Sequence, residues 1–100
     1  MDPAKPDINI SDVVVSTAGR DQGEWFYVID EDPIYLMLAN GKDRTLDKPK
    51  RKKRKHAQKV LRSETRVAEK LRLGDKVLNS ELRRDLAEFS QDMQSNNLGG

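Results

Sequence analysis

The sequence predicts a mainly β fold with an α tail, in the form of a small barrel of short strands followed by two short helices. Three observations lead there. Residues 12–46 carry short β-branched and aromatic runs separated by Gly, Pro, Asn and Asp, the pattern of a meander that closes into a small barrel. Residues 64–93 switch to helical spacing of their apolar side chains. Between them the period changes at a basic run, residues 48–55, in which seven of eight side chains are Lys or Arg.

Residues 1–10, with two prolines and several polar groups, read as a flexible N-terminal arm. A first strand is expected over 12–17, built on Val13, Val14 and Val15. Residues 18–24 form a loop in which Gly19 and Gly23 allow positive φ. A second strand runs over 25–29, all aromatic or β-branched, with Phe26 and Val28 on one face and Trp25, Tyr27 and Ile29 on the other. Asp30-Glu31-Asp32-Pro33 turns the chain into a third strand over 34–39. Asn40-Gly41 then signals a type I′ hairpin turn, and a fourth strand is expected to begin near Arg44 and include Leu46. Residues 57–61 can form one more short strand.

Beyond it, Ser63 is the expected cap of a helix from about Glu64, with Val67, Ala68 and Leu71 on one face and Gly74 as its stop. Asn79 or Ser80 caps a second helix. Its apolar stripe is Leu82, Leu86, Phe89 and Met93, spaced for one face. Residues 95–100 are expected to fray. The organisation is an arm (1–10), a barrel with a basic tail (11–62), a helical hairpin (63–94) and a disordered C-terminus (95–100).

Net charge is only +2, but it is unevenly placed. Residues 1–41 hold eight acidic and two basic groups, residues 42–62 eleven basic and two acidic, and residues 63–100 six basic and seven acidic. A basic segment between acidic ends offers one face to a polyanion and keeps the rest away from it, the electrostatic footprint of a nucleic-acid binder. With no cysteine there is no disulfide, thiolate metal site or cysteine nucleophile. The lone His56 makes no metal site and reads as a polar contact or partly packed ring. No activated Ser, Cys or His set and no phosphate-binding loop of P-loop type is present, so catalysis is not expected, and neither is a cofactor. The N-terminus lacks the apolar segment of a signal peptide, and no apolar run approaches a membrane span, so a cytoplasmic protein is expected.

Residues 13–29, Val-Val-Val-Ser-Thr-Ala-Gly-Arg-Asp-Gln-Gly-Glu-Trp-Phe-Tyr-Val-Ile, resemble the KOW motif, a strand, a Gly-containing loop and a second strand found in ribosomal proteins and transcription elongation factors. Residues 40–53 resemble the hairpin and basic tail of bacterial KOW-domain RNA-binding proteins, which are similar to a group of archaeal and eukaryotic large-subunit ribosomal proteins. His56-Ala57-Gln58 fits the end of the same block. The resemblance covers roughly residues 11–60. It implies an SH3-like barrel and a ribonucleoprotein role in translation, with ribosomal RNA as partner and ribosomal proteins as possible neighbours. The chain departs from the family in having Ser11-Asp12 before the first strand, Asn40-Gly41 in place of Asp-Gly, and Glu24 where a basic residue is common. Glu24 removes a phosphate contact from the second half of its loop.

The RNA-binding candidates are Arg20, Lys42, Arg44, Lys48, Lys50, Arg51, Lys52, Lys53, Arg54 and Lys55, with Gly19, Gly23 and Gly41 as structural loop residues. Each cation near a phosphate releases condensed counterions and contributes about 0.7 to 0.9 to the log–log salt slope. Such contacts give affinity with little sequence information. Other readings compete. The basic run can be a solvated connector or a nuclear-localisation string. Arg20 can pair with Asp21, and Lys42 and Arg44 with Asp43 and Asp47. Trp25 or Tyr27 can stack on a base or build the core. The helical stripe can pack within the chain or bind a protein, which would make the chain an interaction adaptor in transcription or translation.

Overall fold

A computed structural model describes residues 8–99, without the side chains of 94–99. Five strands form one antiparallel sheet: β1 (Asp12–Ser16), β2 (Trp25–Glu31), β3 (Tyr35–Ala39), β4 (Lys50–Lys53) and β5 (Ala57–Arg62), in the order β4-β3-β2-β1-β5. Helices α1 (Arg66–Leu73) and α2 (Asn79–Gly99) follow, so the mainly β fold with an α tail is as expected. At 21 residues α2 is not a short helix, and its backbone continues through most of the stretch expected to fray. Gly100 and residues 1–7, most of the expected arm, lie outside the described residues.

The sheet must curl. Five flat strands would hold β4 and β5 about 19 Å apart. Yet the two edges are joined only by a 3₁₀ turn, Arg54–His56, and the four steps from Lys53 to Ala57 span at most about 14 Å. The concave side encloses Ile8, Val14, Phe26, Val28, Leu36, Leu38 and Ala57. Ile8 corrects the arm boundary: it is fully buried and its carbonyl accepts from Arg54, so the fold begins before residue 11.

The convex side is covered in part by the helices, where Val13, Tyr27 and Ala39 meet Val67, Leu82 and Leu86. Phe89 packs at the margin, and Met93 is exposed. At the centre of this junction the buried Tyr27 hydroxyl donates to Asp85 Oδ2 at 2.7 Å and lies 2.8 Å from Ser63 Oγ. Thr65 Oγ1 donates to the same carboxylate oxygen at 2.7 Å. Burial pushes the phenol pKa up. Hydrogen bonds with Ser63 and Thr65 oppose the rise, and the Asp85 carboxylate adds to it. The phenol therefore stays protonated and donates. Tyr27→Phe should cost about 1–3 kcal/mol, measured by urea unfolding, because it withdraws a donor from a buried carboxylate.

Three local expectations are corrected. The α1 cap is Thr65, which accepts from the Ala68 amide at 3.2 Å, because Ser63 is held by Tyr27. Gly74 does stop α1, at φ 76°. At α2 the Asn79 side chain accepts from Leu46 of the β3–β4 connection. The Glu81 carboxylate accepts from the Leu78 amide instead.

The third correction is the fourth strand. No strand begins near Arg44: residues 40–49 form a compact connection, and β4 is part of the basic run itself. Asn40-Gly41 is not a type I′ turn, which needs positive φ at both residues, since only Gly41 has it (76°). Asn40 Oδ1 instead accepts from the amides of Lys42 (2.9 Å) and Arg44 (3.0 Å). A Cβ on Gly41 would lie 2.2 Å from the Asn79 carbonyl oxygen, so glycine is required by close approach to α2 as well as by φ.

Candidate nucleic-acid interface

A strand sends alternate side chains to opposite sides. Written onto β4, that rule divides the basic run into two sets. Lys50 and Lys52 turn toward the β1–β2 loop and share Asp21. Lys50 Nζ lies 3.1 Å from Oδ2, and Lys52 Nζ lies 3.2 Å from Oδ1. The Lys52 side chain is only 8% exposed and also donates to the Ala18 carbonyl at 3.0 Å. Arg51 and Lys53 point the other way and are exposed.

Asp21 is the centre of the inward set. Burial alone would raise its pKa, but the hydrogen bond from Ser16 and those from Lys50 and Lys52 outweigh it and bring it down to about 2. Ser16 Oγ donates to Asp21 Oδ1 at 2.7 Å. The loop is closed behind it by Gly23 N–H to the Ser16 carbonyl, 2.8 Å, and Gln22 N–H to the Gly19 carbonyl, 3.2 Å. Gly19 and Gly23 take φ of 89° and 92°, so both glycines have the structural role expected of them. Arg20 is exposed and does not pair with Asp21, which is engaged by the lysines.

Arg54 is also engaged. Its guanidinium pairs with Glu31 and donates to the carbonyls of Asp32 (2.8 Å) and Ile8 (3.0 Å), fastening the 3₁₀ turn to the β2–β3 turn and the N-terminal segment. Three of the ten candidate cations, Lys50, Lys52 and Arg54, thus hold the fold together.

The other seven candidates are exposed: Arg20, Lys42, Arg44, Lys48, Arg51, Lys53 and Lys55. Among the described residues none forms an ion pair; Asp47 instead accepts from Thr45. They do not share one environment. Arg20 and Arg44 line a cleft of about 270 Å³ with Asp21, Glu24, Phe26, Asp43 and Lys50. Its three cations face three carboxylates, so it attracts phosphate weakly. Lys53, Arg54 and Lys55 line another hollow of about 330 Å³ with Pro33 and Ile34, and no carboxylate lines it. Arg51 beside it sits over the Tyr35 ring, 4.1 Å from its centroid, a cation–π contact that holds the guanidinium out from the strand.

Exposed cations outside any ion pair therefore form a positive stretch at Arg51, Lys53 and Lys55; the nearby Asp32 carboxylate, held low in pKa by the Tyr35 and Ile34 amides, also feels the charge of Arg51 and Arg54. Lys48 extends the stretch through the turn closed by Lys48 N–H to the Thr45 carbonyl. Tyr35, which supports Arg51, was not among the sequence candidates; its signal was the cross-strand neighbourhood, visible only once β4 is known. Tyr27 is buried and excluded as a stacking platform, whereas Trp25 is half-buried. Among the described residues no group of three or more His, Asp or Glu could hold a metal ion. No described helix is long and apolar enough to cross a membrane. No protein-family model and no curated protein matches the chain.

Proposed function

We propose that this chain is a non-catalytic RNA-binding protein of the KOW class, acting in the cytoplasm on structured RNA, with ribosomal RNA as the favoured partner. In this reading the curled sheet is an SH3-like barrel and β4 is its RNA-facing rail. One observation carries the proposal. The outward cations Arg51 and Lys53 are presented ~6.6 Å apart on a hydrogen-bonded strand, with Lys55 beyond and no carboxylate lining the hollow that Lys53 and Lys55 border. Cations held on a strand lose less entropy on meeting phosphates than a mobile tail does. The Gly19–Gly23 loop contributes mainly by anchoring that strand through Asp21. The adaptor alternative relied on the barrel face and the α2 stripe; of that stripe Leu82, Leu86 and Phe89 are occupied against the sheet, and Met93 alone is exposed.

Sedimentation of native lysate through a sucrose gradient tests the partner. The protein should travel with large ribosomal subunits at low salt and be released by high salt or ribonuclease. A protein that stays at the top of the gradient under all conditions contradicts the ribosomal assignment.

A further inference from the structure

Resting on the RNA-binding reading, we infer that the slot between the start of β2, the 40–44 loop and α2 receives one unpaired nucleobase of the bound RNA, stacked on the Trp25 indole. The slot has a volume of about 260 Å³ and is lined by Trp25, Asn40, Lys42, Arg83, Leu86 and Ala87. Both charged residues are cations and no carboxylate lines it, in contrast to the charge-balanced cleft beside it. Its walls are mostly apolar, suited to the π face that every base shares.

The two clefts stand back to back. Glu24 and Phe26 line one and Trp25 the other, because neighbouring side chains at the start of β2 point to opposite faces. Asp43 and Arg44 line the first, Asn40 and Lys42 the second. Lys42, one of the slot's two cations, is placed to meet the phosphate of the nucleotide whose base enters. The slot is also fixed before binding. Arg83 donates to the Gly41 carbonyl, and the Gly41 backbone is pressed so closely on Asn79 that no side chain fits between them. A preformed site loses little ordering entropy when a base enters. The base is an unpaired one, since a base inside a duplex already stacks on its neighbours through both faces.

Trp25 is the only tryptophan, so emission excited at the red edge, where the two tyrosines do not absorb, reports this slot alone. The protein is titrated with a short single-stranded RNA and with an abasic RNA of equal phosphate number, each end-labelled so that anisotropy follows binding at the same time. The intact RNA should bind and quench the tryptophan. The abasic RNA should bind about 5- to 150-fold more weakly, the range of one base–aromatic stack, and leave the fluorescence unchanged. Ala87→Phe, at an exposed α2 position, fills the slot without entering the core and should abolish both the quenching and the difference between the ligands. Equal binding of the two RNAs by the wild type, binding without quenching, or an Ala87→Phe variant that behaves as wild type overturns the inference while leaving RNA binding intact. No anisotropy change with either RNA overturns the RNA-binding reading and the slot with it.

Discussion

Replacing Arg51, Lys53 and Lys55 together with alanine should weaken RNA binding on the order of 100-fold near physiological salt, taking each lost solvent-exposed contact at about 0.9 kcal/mol. It should also lower the log–log salt slope by about 2, three contacts at roughly 0.7 each for single-stranded RNA. All three side chains are exposed and none forms an ion pair among the described residues, so the fold should survive. The one structural loss is the Arg51–Tyr35 contact, which at an exposed site is worth about 0.5–1 kcal/mol. Anisotropy titrations over a salt series, with a thermal melt of each variant, measure both quantities. The same number of charges removed at Lys50, Lys52 and Arg54 should give the opposite pattern, a lowered melting temperature with only a secondary effect on affinity. Bulk charge cannot distinguish these two triple variants; strand parity does.

Asp21→Ala should destabilise the protein by roughly 2–3 kcal/mol. Removing one partner of a fully buried ion pair costs about 3–5 kcal/mol because the other charge is left unpaired, and here Lys50 is a quarter exposed and can reach water. Lys52, nearly buried, would keep only the Ala18 carbonyl. The pH dependence follows from the depressed Asp21 pKa. In the unfolded chain an Asp titrates near pH 3.9, and in the folded protein near 2. The stabilisation is therefore fully present above about pH 4 and is lost as pH falls toward 2. Urea melts of wild type and variant should differ most above pH 4 and converge below it. A constant difference across that window would mean that Asp21 is not the titrating group.

These contrasts also show what was legible in the sequence. β1, β2 and β3 were readable because Val13 to Val15, Trp25 to Ile29 and the apolar residues of 35–39 have the side chains that a pleated, buried surface favours. The Gly74 stop was readable because few other residues adopt its φ. β4 was not, because Lys-Arg-Lys-Lys has neither apolar alternation nor β propensity. It is a strand because Tyr35, Leu36, Met37 and Leu38 offer it a ladder and Asp21, from the β1–β2 loop, neutralises its inward side. A period-2 reading of the basic run would have suggested two faces, but the partner thirty residues away is a tertiary fact. The same holds for Tyr27 and Asp85, 58 positions apart, and for Ile8, whose side chain packs in the concave core and whose carbonyl accepts from Arg54. Among the ten site candidates, residue type marks the cations only as a group. Only the fold separates those that hold β4 in place from those that face outward.

Lysine acetylation footprinting read by mass spectrometry, with and without RNA, tests that separation most directly. The account predicts that Lys48, Lys53 and Lys55 react readily in the free protein and are protected by RNA, while Lys52 reacts slowly in both states because Asp21 and the Ala18 carbonyl hold it. Uniform reactivity along the basic run, or protection confined to lysines outside it, would contradict the division of β4 into a structural face and an RNA-binding face.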